Sequence, residues 1–285
     1  STWTWAGAPG APRLVLVHGG GAHNGWWSWT APFLAPAFEV VALELSGHGR
    51  SGRRPGAYRF GTWADEALAA AGAGPAVLVG HSMGGVVVGI AAARAGAARI
   101  PAVVLVDAPL ERPVAGAIGH GPRRMAGSRP APTREELLAR FRLLPDQPAL
   151  HPALERHAAE EGVVAHPEGF AWRFDPTVFD TAEVDRPARV DDRLATYAGR
   201  VGGVVAEHSE VLPAAHRGRL ESLCAPEDAS GPSTFVEVPD AHHQIMFDHP
   251  LELLAALDGM FARWGLPRVR LPGGAPGAPG ASGGC

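Results

Sequence analysis

The chain has 285 residues, 46% of them apolar and 19% charged, and a formal net charge of −4. This composition excludes a disordered chain and a collagen-like repeat, and two cysteines, Cys224 and Cys285, cannot staple a disulfide-framed fold. The acidic balance leaves no basic footprint for nucleic acid or anionic lipid, and because all 25 basic residues are arginine, Schiff-base chemistry at a lysine amine is impossible.

Thr2–Trp5 is expected to supply one short strand. No charged, apolar, small-residue leader precedes the first strong apolar run, which points to a cytoplasmic address. Nearly continuous apolar, β-branched runs follow at Leu14–Val17, Val40–Leu45, Ala76–Val79, Ala102–Val106, Val201–Ala206 and Thr234–Val238. Such runs read as parallel strands buried on both faces. Helix-length segments at Trp26–Ala37, Thr62–Ala71, Gly84–Ala97 and Leu251–Trp264 fit the crossovers, so the predicted class is α/β with a doubly wound, mostly parallel sheet. The uncharged stretch Ala67–Ala93 is long enough to suggest a membrane span. Gly72, Gly74, Pro75 and the Gly80–Gly85 region interrupt it, so a buried strand followed by a buried helix explains it better.

The alternation stops after Val106 and resumes near Val201. The intervening residues, 109–195, are predicted to form a helical lid inserted between two parts of one core domain, 1–108 and 196–266. Within it, Thr133–Phe141 carries a helix start, with Glu135 and Glu136 in its first turn, and Pro152–Glu161 reads as a second short helix. Phe141, Phe170, Trp172, Phe174 and Phe179 would either roof a pocket or close a small core of the insertion itself. Residues 267–285 turn to Gly, Pro and Ala and are predicted to be a flexible tail.

Gly80-His81-Ser82-Met83-Gly84 follows one predicted strand and opens one predicted helix. Glycines two before and two after a serine permit a sharp, strained turn that lifts the hydroxyl above the sheet edge. A serine hydroxyl is a weak nucleophile at neutral pH, so a histidine must take its proton and an acid must orient that histidine. Of the 13 histidines, the pair His242-His243 follows the last predicted strand, on the loop at the same sheet edge as Ser82.

Four motifs together resemble the α/β-hydrolase superfamily, in its lid-bearing branch of serine esterases and lactonases. They are His18-Gly19-Gly20-Gly21, Glu44-Leu45-Ser46-Gly47-His48-Gly49-Arg50-Ser51, the turn around Ser82, and the run from Ala241 to Pro250. The resemblance implies an α/β-hydrolase fold with Ser82 as nucleophile and His243, seven residues before Pro250, as the base. His18 and His48 would fasten their loops. For the acid the resemblance offers two places. The one after the strand ending at Ala206 holds Ser209 where an aspartate is common, and a serine cannot hold an imidazolium. Asp107, at the end of the strand after the Ser82 helix, is therefore preferred over Glu210, with Glu207 third. Backbone amides of Gly20 and Met83 would form the oxyanion hole, with Gly21 the near alternative.

Gly21, Trp26 and Trp172 are candidates for the substrate pocket. No Cys/His cluster has zinc spacing and no phosphate-binding glycine motif occurs, so no metal, cofactor or nucleotide is expected. The reading is a cofactor-independent serine hydrolase acting on a small, mostly apolar ester or lactone, as a monomer or homodimer, with no membrane or nucleic-acid partner. Alternatives are a carbon–carbon bond hydrolase, a biosynthetic cyclase or decarboxylase, and a non-catalytic small-molecule receptor.

Overall fold

The computed structural model describes residues 1–110, 129–148, 150–178, 189–224 and 234–271. Its strands are β1 (Thr2–Trp5), β2 (Arg13–Val17), β3 (Glu39–Leu43), β4 (Ala76–His81), β5 (Ala102–Val106), β6 (Val163–His166), β7 (Gly169–Trp172), β8 (Arg200–Ala206) and β9 (Phe235–Val238). Its α-helices are α1 (Ala31–Leu34), α2 (Phe60–Ala71), α3 (Met83–Ala95), α4 (Arg134–Leu138), α5 (Pro152–Glu161), α6 (Asp191–Leu194), α7 (Ala214–Leu223), α8 (Ile245–Asp248) and α9 (Pro250–Arg263). Seven strands form one sheet in the order β1-β3-β2-β4-β5-β8-β9. Among the described residues only β1 runs antiparallel in this sheet, pairing Thr2–Trp5 with Leu43–Val40.

The continuous apolar runs have the expected physical cause. Successive strand side chains point to opposite faces, and here both faces are covered. Val15, Val17, Val41, Leu43 and Leu78 join one core under α2 and α3, while Leu14, Leu16, Val40, Ala42 and Val79 join another under α1 and α9. None of the described helices is long and apolar enough to cross a membrane, and the Ala67–Ala93 stretch resolves into the end of α2, β4 and most of α3.

The strand order reverses at β2, with β3 on one side and β4 on the other. The loops leaving β2 and β4 therefore splay apart at their carboxyl ends and open the crevice where ligands of open α/β sheets bind. That topology brings the glycine loop beside the serine turn.

Several predicted elements are corrected. Trp26–Ala37 is not one helix but a 3-10 turn at Asn24–Trp27 followed by the short α1. Pro32 lacks the N–H that would continue the first turn, and Pro36 stops the second. Thr133–Phe141 shortens to α4, with Thr133 Oγ1 accepting from Glu136 N at 3.2 Å as its cap. The insertion is not purely helical, because β6 and β7 form an antiparallel hairpin within it. Phe141, Phe170 and Trp172 pack around Leu137, Leu138, Ala159 and Val163 as a small core, from which Trp172 and Phe141 also reach the two main cores, while Phe174 is buried within the first of these. Phe179 lies outside the described residues. α6 also packs on the main core, with Val190 and Leu194 against α3.

Nor is all of the carboxyl-terminal segment a free tail. Arg268 makes a two-pronged ion pair with Asp258, whose Oδ1 also accepts from Val269 N at 2.7 Å, and Val269 is buried. Arg270 N reaches Phe33 O at 3.3 Å, so residues 267–271 are fastened across α9 and α1. The tail prediction for 272–285 lies outside the described residues.

Gly84 gives a direct test of how tightly the serine turn is wedged into the sheet. A Cβ there would stand 2.4 Å from Val17 O and 2.5 Å from His18 O, both backbone atoms of a central strand and its loop. Gly84→Ala is expected to destabilise by roughly 1–3 kcal/mol, the usual cost of overpacking. Gly218 in α7 has nothing within 4 Å of such a Cβ. Gly218→Ala should instead be neutral or stabilising by up to about 1 kcal/mol. Paired thermal melts check both, and equal melting temperatures for the two variants would contradict the packing argument.

Candidate active site

Strand register sets the site. His81 pairs with Val106 and Val106 pairs with Val204, so Ser82, Asp107 and the β8 end stand side by side at one sheet edge. Ser82 N donates to Val106 O at 2.9 Å and Asp107 N to Val204 O at 2.7 Å, which carries the ladder one step past the strands. Ser82 has φ 53 and Asp107 φ 42, a left-handed conformation that costs a non-glycine residue of order 1–3 kcal/mol. Gly80 makes the serine turn possible, because a Cβ there would lie 2.3 Å from Gly84 O.

His243 Nε2 is 3.0 Å from Ser82 Oγ, and His243 Nδ1 is 2.6 Å from Asp107 Oδ2. Asp107 is completely buried, and its other oxygen, Oδ1, accepts from Ala206 N at 3.0 Å. With a carboxylate at Nδ1, the proton of a neutral His243 sits on Nδ1 and the lone pair of Nε2 faces the serine hydroxyl. That arrangement lets the imidazole take the serine proton and lets the carboxylate stabilise the imidazolium that forms.

The alternatives lie elsewhere. His242 is tied to Asp248, whose Oδ2 accepts from His242 N at 2.7 Å and lies 3.3 Å from its Nδ1. Glu210 is exposed, and Glu207, also exposed, accepts from Asp240 N. Glu207, His208 and Asp240 are a group of exposed side chains whose metal-ligating atoms approach one another within 4.8 Å among the described residues.

The glycine loop lies against the serine turn, since a Cβ on Gly19 would meet His81 Nδ1 at 3.0 Å and Ser82 Cβ at 3.2 Å. Ala22 N closes a turn onto Gly19 O, and Gly21 takes φ +72 within it. Gly20 and Gly21 are half-buried, and Met83 is the first residue of α3. Trp172 is half-buried and packs against Phe141. Trp26 is only 7% exposed and meets Phe247 edge-on at 4.8 Å, as Trp29 does. Both rings thus brace the turn after His243, and Trp26 belongs to the core more than to a pocket wall.

Four other histidines are held neutral by burial. Burial, reinforced by the His243 ring 4.8 Å away, pushes His81 down to about 3, so its Nε2–H donates to His243 O at 2.9 Å. Burial and the neighbouring His48 hold His18 well below its usual value; its Nδ1–H donates to Gly19 O and its Nε2 accepts from Leu45 N. Burial likewise takes His23 and His48 to about 4. His48 donates to Ser46 O at 3.3 Å and bridges to Phe174, fastening its loop to the insertion.

Sequence reasoning missed two contributors. Ser209 Oγ lies 2.6 Å from Asp107 Oδ2. Gln244, next to His243, receives the insertion: its backbone N donates to Gln147 Oε1 at 2.8 Å and its Nε2 to Leu144 O at 2.7 Å. The signal for Ser209 was its place in the chain, read as the loss of an acid instead of as a hydroxyl aimed at one.

A parallel sheet with a strained serine turn after β4, an acid after β5 and a histidine after β9 defines the α/β-hydrolase architecture. The chain belongs to the alpha/beta hydrolase family, whose model matches residues 14–257. Among curated relatives, Lipase LipV of Mycobacterium tuberculosis is 33% identical over 180 residues, 59% of this chain and 64% of the relative. The pimeloyl-[acyl-carrier protein] methyl ester esterase of Methylococcus capsulatus is 48% identical over 40 residues, 14% of this chain and 16% of the relative. The chain thus matches less than two thirds of the length of either. Among solved structures, E-2-(acetamidomethylene)succinate hydrolase superposes with a TM-score of 0.76 at 21% identity, covering 92% of this chain and 94% of that one. A thermophilic esterase from Thermogutta terrifontis gives 0.68 at 21% identity, covering 92% and 93%. Both share the fold.

Proposed function

We propose that the protein is a cofactor-independent serine hydrolase that cleaves a small, mostly apolar carboxylic ester, linear or cyclic, through an acyl-enzyme on Ser82. The supporting observation is the unbroken line Ser82 Oγ, His243 Nε2, His243 Nδ1, Asp107 Oδ2, with spacings of 3.0 and 2.6 Å. In this reading Ser82 Oγ attacks the ester carbonyl as His243 Nε2 takes its proton. Amides of Gly20 and Met83 hold the oxyanion, a contribution of about 2.7–4 kcal/mol for each such donor. The imidazolium then protonates the departing alkoxide, and the carbonyl re-forms as the acyl-enzyme. Water, deprotonated by the same nitrogen, attacks that acyl group, and Ser82 leaves with its proton restored. The names of the lipase and esterase relatives agree with ester chemistry, and the docking of the insertion on Gln244 beside His243 supports a role for it in covering the crevice and excluding water.

The experiment is intact-mass analysis after treatment with a small fluorophosphonate, with peptide mapping of the adduct. One covalent adduct on Ser82, lost in Ser82→Ala and in His243→Ala, is the expected result. A folded protein that carries no adduct, or carries it on another serine, would remove the mechanism.

A further inference from the structure

Ser209 lies in the turn that follows β8, facing the acid across the sheet edge. Its Oγ and His243 Nδ1 both stand 2.6 Å from the same oxygen, Asp107 Oδ2. A serine hydroxyl has one proton to donate and two lone pairs to offer. Here the backbone N–H groups of Val211, at 3.3 Å, and Leu212, at 3.1 Å, already point at Oγ. Its acceptor capacity is taken and an ionised carboxylate has nothing to donate, so the hydroxyl proton is directed at Asp107 Oδ2. Ala206 N holds Oδ1 at the same time. The carboxylate is therefore gripped at both oxygens by the β8 end, in addition to His243.

We infer that Ser209 is a positioning residue for the hydrolytic reaction: its hydroxyl holds the Asp107 carboxylate in line with His243 and takes up part of the charge that the carboxylate presents to the imidazolium. This rests on the Ser82–His243–Asp107 reading above. The two N–H groups behind Oγ polarise it, so the β8 turn becomes a short relay of donors ending on the acid. Removing the hydroxyl has two separable effects. The carboxylate loses one restraint on its orientation, which lowers the rate. It also presents its charge undivided to His243, which favours the imidazolium and raises the pH at which the histidine loses its proton.

The other titratable groups around His243 do not mimic this shift. His81, from β4, is 4.8 Å away ring to ring and stays neutral above about pH 3. His242, on the same loop, is paired with Asp248, and the His208 ring from the β8 turn lies tilted against His242 at 5.2 Å. Glu207 and Glu210 are exposed and bond neither His243 nor Asp107 among the described contacts.

The test compares Ser209→Ala, Ser209→Cys and Ser209→Thr in p-nitrophenyl ester hydrolysis and in the rate of fluorophosphonate labelling, each across pH 5 to 9. Ala and Cys should lose roughly ten- to hundredfold in kcat, the worth of a hydrogen bond to a charged group, with KM little changed. Their acid limb should move to higher pH, and Thr, which keeps the hydroxyl, should restore both rate and profile. In an Asp107→Asn background, Ser209→Ala should cost nothing further. If Ala unfolds because Val211 and Leu212 lose their acceptor, Cys decides, since its thiol keeps the volume and donates weakly. A folded Ala or Cys variant with wild-type rate and pH profile overturns the positioning role. A wild-type protein that takes no label at Ser82 overturns instead the reading of the site on which it rests.

Discussion

Asp107→Asn is expected to lower kcat/KM for ester hydrolysis by about 10,000-fold while leaving the fold intact. The reason lies in which atoms surround the carboxylate. Ala206 N donates to Oδ1, so an asparagine would set its carbonyl oxygen there and turn its NH₂ toward Ser209 and His243. Ser209 Oγ can accept that amide only by giving up a backbone donor, Val211 or Leu212. His243 would then have to accept at Nδ1 and carry its proton on Nε2, facing Ser82 with a donor where the reaction needs an acceptor. The loss would therefore fall on kcat through the wrong tautomer. Glu210→Gln and Glu207→Gln are the controls, and each should retain wild-type rates because both side chains are exposed and Glu207 is bonded to Asp240 N. Ester kinetics with circular dichroism on the same samples decide the matter. An Asp107→Asn variant within tenfold of wild type, or a Glu210→Gln variant that fails, would relocate the acid.

The parts of the site visible in the sequence are those where local sterics restrict residue choice. A serine at φ 53 between glycines that admit no Cβ leaves a signature in five consecutive residues, Gly80 to Gly84. His243, seven residues before Pro250, and Asp107, at the end of a strand, were reached through the family resemblance, and their side chains meet at 2.6 Å. Ser209 was not legible, because its meaning depends on β8 lying next to β5, a pairing that brings residues about a hundred positions apart within hydrogen-bond reach. The fold divides the same way. Long buried strands announced themselves, whereas the β6–β7 hairpin, four residues a side around Pro167-Glu168, is too short to show alternation. The Trp26–Ala37 segment had the composition of a helix and two prolines that cut it. Arg268 looked like the start of a solvated tail because its partner, Asp258, lies a full helical turn and a loop earlier.

Stability is expected to collapse in mild acid, well above the pH at which most carboxylates protonate. His18, His23, His48 and His81 are all buried, and burial is the largest cause of the lowered pKa in each. Hydrogen bonding says the same for two of them: His18 and His23 each donate from one ring nitrogen and accept a backbone N–H at the other, so a second proton would break a bond. In the native state these rings stay neutral down to about pH 4 for His23 and His48 and about pH 3 for His81. In the unfolded chain they take up protons near pH 6.5. Between those limits the unfolded state binds more protons, so stability falls as pH falls, by about 1.4 kcal/mol per pH unit for each fully titrating histidine. Four together approach about 5 kcal/mol per unit, against a total of about 5–15 kcal/mol for a typical domain. The carboxyl of Glu44, which burial pushes up, acts in the opposite sense, one group against four. Melting temperature should therefore be nearly level from pH 8 to 7 and then drop by roughly 10–20 °C between pH 6 and pH 5. His48→Gln, which keeps a donor for Ser46 O, should reduce the proton uptake on unfolding at pH 5.5 by about one and flatten the slope accordingly. Calorimetry in buffers of different ionisation enthalpy measures that uptake. A melting temperature unchanged from pH 6.5 to 5 would mean that these rings take up protons in the folded protein over the same range as in the unfolded chain, and the burial argument would have to be given up.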